Sequence, residues 1–338
     1  MRFKFWIGIF ISAGLLALMF WWTGFNFRSL WEAAKGVNLW YLMAAVVINL
    51  AIYIIRALRW RYLMAPVKER VKLSHLYSAT MIGFMANNLL PARLGEIVRA
   101  YVIGRRENVP KSSAFATIVV ERVFDSLSVF VMLLIVLALM PQSLSGGHLA
   151  ETIRRTRTVS LTGGIVLVVF LAALVSKRDY FIGVAVGFLR RFSSRLADRA
   201  ASLMDKFVHG LSVIKRPGLL VPIILLSAVH WGVVWVPVYI IFKGYGLSLG
   251  VWASVFTFVV IAFAVALPST PGFVGTFQAA VSVALVALGV GKEKALALSI
   301  VIWAMGYVPV VIVGLICLSR ENLTLSSLKS AESLRGAR

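Results

Sequence analysis

The chain has 338 residues, 60% of them apolar or aromatic and only 14% charged, against about 25% charged in an average soluble domain. Together with a mean hydropathy of +0.89, this excludes an ordinary soluble enzyme, a disordered chain and a secreted disulfide scaffold. The formal charge of +22 would point to nucleic acid on a soluble chain. On a membrane chain it must first be sorted by side, and no nucleic-acid partner is expected.

The apolar residues fall into runs of about 20, the length that crosses a bilayer as a helix. They predict an all-α polytopic membrane protein with about six full spans and two Pro-broken, re-entrant or short-span helix pairs. The first run, 5–25, follows Arg2 and Lys4, lacks a small-x-small cleavage site and reads as a retained signal anchor. A second span, 39–55, opens with Trp40 and Tyr41 at interface depth. Behind it, Arg56-Ala57-Leu58-Arg59-Trp60-Arg61-Tyr62-Leu63 reads as an interfacial anchor, with Trp60 among the headgroups, in preference to a substrate-capture segment. A short apolar piece, 74–90, runs into Asn87-Asn88-Leu89-Leu90-Pro91, followed by a basic segment with Arg93, Arg99, Arg105, Arg106 and Lys111.

Spans at 113–140 and 159–176 come next. Segment 177–217 interleaves nine basic and three acidic residues with apolar ones, a pattern for amphipathic helices on an anionic surface. Span 218–243 precedes the second broken pair, 251–267 and 273–290, interrupted by Leu267-Pro268-Ser269-Thr270-Pro271-Gly272. A last span, 295–318, completes a single transmembrane domain over 1–320, and 321–338 form a polar tail.

With the N-terminus in the cytoplasm and each broken pair crossing an even number of times, the inner segments carry 26 basic residues and the outer ones about eight. That asymmetry predicts N-in, C-in. The same layout gives residues 1–140 and 159–318 matching orders of spans in opposite directions, as in an inverted repeat. In such architectures, Pro-broken segments at matching positions mark the transport site.

The residues that could carry chemistry cluster at three places. Glu121 and Asp125, four apart, share a helix face and Arg122 lies beside them. Ionisable groups at that depth face a bundle interior, a partner or water, so they form either a headgroup or proton site or an internal ion pair with Arg93, Arg99 or Arg122. Pro91 suits the first turn of a helix whose amides, with Arg93 and Arg99, could face a phosphate; Glu96 and Arg99 could equally pair. In the second half Pro268, Pro271, Gly272 and Gly275 break the helix, Ser269 or Thr270 can cap, and Gln278 offers an uncharged amide. His75, His148, His209 and His230 lack ligand spacing, and the one cysteine, Cys317, sits in an apolar run. No metal, cofactor or disulfide is expected. His230, beside Trp231, reads as a packed, hydrogen-bonded histidine in preference to a proton carrier.

In this order, Asn87 to Arg99, Glu121 to Asp125 and Pro268 to Gln278 resemble the lysylphosphatidylglycerol synthase transmembrane, or flippase-like, family. Its best-known member domain is the membrane half of the bacterial multiple peptide resistance factor. The Arg56–Leu63 segment is similar too, so the resemblance spans most of 1–320. It implies a bacterial inner-membrane protein that helps move lipids between leaflets, with Arg93, Glu96, Arg99, Glu121, Arg122 and Asp125 as its polar membrane residues. Two features depart from it. The short tail after residue 320 argues against a soluble aminoacyl-transferase domain. Phe273 and Gln278 stand where many relatives have glycine and glutamate, which removes an acid from the second half.

The expected function is therefore transport of an anionic or glycosylated lipid: an anionic phospholipid, a hopanoid-type lipid or a polyprenyl-linked sugar. The broken pairs would meet near the midplane, and Arg93, Arg99 and Arg122 would hold the phosphate in a cleft also lined by Asn87, Asn88, Ser269, Thr270 and Gln278. The alternatives are a membrane-embedded enzyme with Glu121 or Asp125 as general base, or an accessory subunit in lipid-headgroup or lipid-linked glycan modification. A lipid-modifying enzyme and a second copy of the chain are the candidate protein partners.

Overall fold

The computed structural model describes residues 36, 38–90, 94–139, 216–266 and 271–323. The expected signal anchor (5–25), the span at 159–176, nearly all of the amphipathic segment at 177–217 and most of the tail lie outside the described residues, as do Pro91, Arg93, Pro268, Ser269 and Thr270.

The described residues form helices and no strand. In chain order these are α1 (Leu39–Met64), α2 (Leu73–Leu89), α3 (Gly95–Glu107), α4 (Lys111–Leu139), α5 (Pro217–Val233), α6 (Val236–Gly244), α7 (Val251–Ala266), a 3-10 turn (Pro271–Phe273), α8 (Thr276–Ala287) and α9 (Lys292–Arg320). Four stretches are long and apolar enough to span a bilayer: α1, α4, α5 with α6, and α9. Trp40, Val47, Leu139, Leu225 and Ile312 point outward from them, as lipid-facing side chains do where the surrounding solvent is itself apolar.

Two predicted boundaries are corrected. The second span does not end at residue 55; α1 continues to Met64 because Ala57, Arg59, Trp60, Leu63 and Met64 turn into the protein rather than toward headgroups. The span at 218–243 is two helices, with a break at Val234-Trp235 just before Pro237, whose ring cannot donate the amide that a continuous helix needs.

Around each Pro-rich break two short helices fold back on one another. In the first hairpin, α2 and α3 are about 25 and 20 Å long at 1.5 Å per residue, shorter than the roughly 30 Å hydrocarbon core. Their contact is set by small residues. A side chain on Gly83 would meet Cβ of Arg99 at 2.9 Å, and one on Gly95 would run into the Gly83 carbonyl. The Gly95 amide donates to Oδ1 of Asn87 at 2.8 Å, which caps α3 across the break. At the open end, the Glu107 carboxylate is held by Lys68 Nζ at 2.6 Å and by His75. The second hairpin is α7 and α8, with Leu249, Ala253, Leu285 and Val290 in one apolar cluster near its open end.

Helix α9 runs past both hairpins. Its first turns, with Ala295 and Leu298, pack among the residues at the open end of the second hairpin. Gly314 lies against Met85 and the carbonyl of Met81, and just beyond its end Glu321 sits 3.5 Å from Arg106 of α3. Between these, the Tyr307 hydroxyl donates to the Asn88 carbonyl at 3.4 Å and the Trp303 indole to the Gly272 carbonyl at 2.7 Å. The closed ends of the two hairpins thus meet each other at the middle of α9.

Candidate functional site

At Glu121, ten residues into α4 and so about 15 Å along it, three helices place charge in one spot. Glu121 is fully buried. Its carboxylate lies 2.9 Å from Nη1 of Arg99, 2.7 Å from Nη2 of Arg122 and 3.4 Å from Nη2 of Arg59. One turn on, Asp125 takes a 2.7 Å bond from Arg59 and lies 3.0 Å from Arg122. Arg56 reaches the same pair at 3.7 and 3.9 Å, and Glu96 of α3 stands 3.8 Å from Arg122. Among the described residues the cluster holds four arginines and three carboxylates, a formal excess of one positive charge.

The four arginines are not equivalent. Arg59 is fully enclosed and also donates to Ser227 of α5 at 3.2 Å. The Arg99 guanidinium lies 3.7 Å from the centroid of the Trp60 ring, a cation–π stack. That indole is fixed in turn by its bond to the Thr117 hydroxyl at 2.9 Å. These two arginines tie α1, α3, α4 and α5 together. Arg122 keeps 34% of its side chain exposed and Arg56 12%. Buried donors without a hydrogen-bond partner among the described residues occur on all four arginines, but only Arg122 and Arg56 combine them with appreciable exposed side-chain surface, at Nε and Nη1 respectively. Those two donors can take up an incoming oxyanion without dismantling the helix contacts.

Of the sequence-predicted residues, the structure brings Glu96, Arg99, Glu121, Arg122 and Asp125 together. Asn87 is engaged in capping Gly95, and Asn88 lines a neighbouring cavity. Gln278 is turned back on its own helix, where its carbonyl oxygen accepts from the Gly275 amide at 2.8 Å. Gly272 and Gly275 take φ of 72° and 89°, and at Gly272 a side chain would also strike the Tyr307 ring at 2.8 Å. Phe273 adopts φ of 58°, a left-handed conformation that is strained for a bulky residue. Glycine would hold it without strain.

Sequence reasoning misplaced Arg56, Arg59 and Trp60. A Trp-Arg cluster ending an apolar run looks the same whether it snorkels to the headgroups or turns inward. The available signal was spacing: Arg56, Arg59 and Trp60 share one face, four to eight residues before the helix ends. His230 also differs from expectation. It is fully buried and packs edge-on to Trp231 with ring centroids 5.3 Å apart, but neither ring nitrogen has a partner among the described residues.

Beside the cluster, sharing Arg56, is a cavity of about 230 Å³ between the hairpin tips. Asn49, Tyr53, Phe84, Asn88, His230, Phe258, Phe277, Trp303 and Tyr307 are among the lining residues. No group of His, Cys, Asp and Glu able to hold a metal ion occurs among the described residues.

Comparison with known proteins adds a family and named relatives. The family description "Lysylphosphatidylglycerol synthase TM region" matches residues 5–314. The glycosyltransferase AglD of Haloferax volcanii is 28% identical over 313 residues, 84% of this chain and 49% of that protein, so the chain spans about half the length of that relative. A UPF0104 membrane protein of Methanothermobacter thermautotrophicus is 27% identical, covering 80% of this chain and 82% of its own length. The UPF0104 membrane protein PH1989 of Pyrococcus horikoshii is 26% identical over 94% and 98% of the two chains. No solved structure matches. With the family description covering almost the whole chain and the helices long enough to span, this is a multi-pass integral membrane protein that belongs to the lysylphosphatidylglycerol synthase TM region family.

Proposed function

We propose that the protein moves a phosphate-bearing lipid between the leaflets of a cytoplasmic membrane, with its N- and C-termini on the cytoplasmic side. The observation that carries this reading is the buried cluster around Glu121, positive by one charge, with incompletely bonded donors on Arg56 and Arg122. Ionisable groups placed within membrane helices are costly and mark substrate or ion pathways. Here the carboxylates neutralise the arginines when no lipid is present. A headgroup phosphate arriving at Arg122 and Arg56 replaces Glu96 and Asp125 as their partner, since guanidinium groups bind phosphate at least as well as carboxylate. Arg59 and Arg99 stay locked to Glu121 and Asp125 and keep the helices in place. The acyl or prenyl tails remain in the bilayer throughout. Orientation rests on the excess of basic residues in the inner segments; the inward turn of Arg56, Arg59 and Arg99 into the charge cluster removes three from that count without reversing it.

The test is transfer of fluorescent phosphatidylglycerol between leaflets of proteoliposomes. Wild type should move it, and Arg122→Ala and Asp125→Ala should abolish movement while the purified variants still elute as a single folded species. Wild-type rates from both variants would reject this site. The printed name of the Haloferax relative favours a second reading, a membrane part serving glycan modification. Turnover of a labelled lipid-linked sugar in detergent, where no leaflets exist, would favour it over transport.

A further inference from the structure

The cavity between the hairpin tips is lined by two kinds of group, interleaved where the Arg56 guanidinium lies 4.9 Å from the centroid of the Phe84 ring. One is aromatic. Trp303 and Tyr307 stack with centroids 4.6 Å apart and planes 25° apart, and their polar atoms are tied to Gly272 and Asn88. Tyr53, Phe84, Phe258 and Phe277 add to this surface. The other is polar and unsatisfied. Both ring nitrogens of His230, Nδ2 of Asn49 and Nη1 of Arg56 are buried without a hydrogen-bond partner among the described residues. His230 has no exposed surface at all. Buried polar atoms are rarely left unpaired, and each exception calls for an occupant or a role.

The chemistry of these groups narrows the occupant. An acyl chain would fill the space and leave the polar atoms unpaired. A bare phosphate would satisfy Arg56 alone and leave the aromatic groups unused. Neutral imidazole offers one donor and one acceptor, and the Asn49 amide nitrogen offers donors. Hydroxyl groups, which donate and accept, answer both, while the C–H faces of a saturated ring suit the aromatic groups. The cavity of 230 Å³ equals about eight waters at roughly 30 Å³ each, room for one six-membered polyol ring. Arg56 belongs both to this lining and to the charge cluster.

We propose that the cavity receives the hydroxyl-bearing ring, monosaccharide or inositol, of a phosphate-linked lipid headgroup whose phosphate lies at Arg56. This rests on the phosphate-lipid reading above and names its headgroup class.

The experiment measures binding to the purified full-length protein in detergent by thermophoresis. The probes are dioctanoyl phosphatidylinositol, octyl-phosphoryl-glucose, dioctanoyl phosphatidic acid and soluble glucose 1-phosphate. At least one ring-bearing lipid should bind about tenfold more tightly than phosphatidic acid, the worth of one or two added neutral hydrogen bonds. His230→Leu and Trp303→Leu should each erase most of that preference, with Asn49→Ala as a milder variant should either fail to fold. Equal affinity of both ring lipids and phosphatidic acid in the wild type overturns the proposal, as does full preference retained in all three variants. Glucose 1-phosphate binding as tightly as the ring lipids overturns the lipid source and assigns the cavity to a free sugar phosphate. Failure of every phosphate-bearing lipid to bind, phosphatidic acid included, removes instead the transport reading on which the proposal stands.

Discussion

Glu121 meets guanidinium groups from three helices within 3.4 Å and has no contact with solvent. Removing its charge leaves Arg99 and Arg59 enclosed without full compensation, and breaking a buried pair from one side costs about 3–5 kcal/mol. Glu121→Gln should therefore lower the melting temperature in detergent markedly. Glu96→Gln, at a side chain 29% exposed and 3.8 Å from its arginine, should change it little, since such partly exposed pairs are worth about 1 kcal/mol or less. Equal shifts for the two would mean that enclosure does not set the energetics. The i, i+4 spacing of Glu121 and Asp125 made their shared face legible in the sequence. Their partners on α1 were not, because a basic residue near the end of an apolar run is equally consistent with snorkelling. Only packing, with Ala57 and Trp60 turned inward, decides between the two.

At the scale of elements, Pro91 and the Pro268–Pro271 stretch marked both hairpins before any coordinates, since proline stops a helix by sterics alone. A helix after Pro91 was expected, but its close packing on α2 was not legible. Its arginines depress the hydropathy of a segment that nonetheless packs against α2 through Gly83 and Gly95. The open end of that hairpin offers a readout. Burial alone would raise the Glu107 carboxyl, but hydrogen bonds from Lys68 and His75 outweigh it and hold the group below the usual glutamate range. A depressed folded-state value means stabilisation that is complete above the unfolded value of about 4.3 and fades as pH falls through the lower folded one. Thermal melts should show wild type more stable than Glu107→Gln at pH 6, with the gap narrowing below about pH 4.5. A gap independent of pH would mean that the carboxylate is not the group holding this end.

Over the whole molecule, α9 relates the two hairpins. It is 29 residues long, about 43 Å, close to the 40–45 Å of a bilayer with its headgroups. The hairpins' open ends lie toward opposite ends of it; the meeting of the tips through Tyr307 and Asn88 was not legible in the sequence, because no pattern in a single chain pairs positions so far apart. The orientation proposed here is open to labelling in a Cys317→Ala background. Cysteine at Gly291, exposed beside the second hairpin, should react with an impermeant maleimide from outside. Cysteine at Glu69, exposed beside the first, should react only after the membrane is opened. The reverse pattern would invert the topology.

Because α9 carries one hairpin's open end near each of its termini and both closed ends at its middle, bilayer thickness becomes a variable of the site. Neither hairpin spans alone, so a thicker membrane draws their open ends apart and loads the Tyr307–Asn88 and Trp303–Gly272 contacts, while a thinner one presses the tips together. Mismatch costs only fractions of a kcal/mol per Å, yet a few ångströms are enough to bias contacts of this size. On the transport function proposed above, lipid movement measured in vesicles of increasing acyl-chain length should pass through a maximum where the hydrocarbon matches α9. The fall on either side should be blunted in Tyr307→Phe, which loses the hydroxyl tie between the tips.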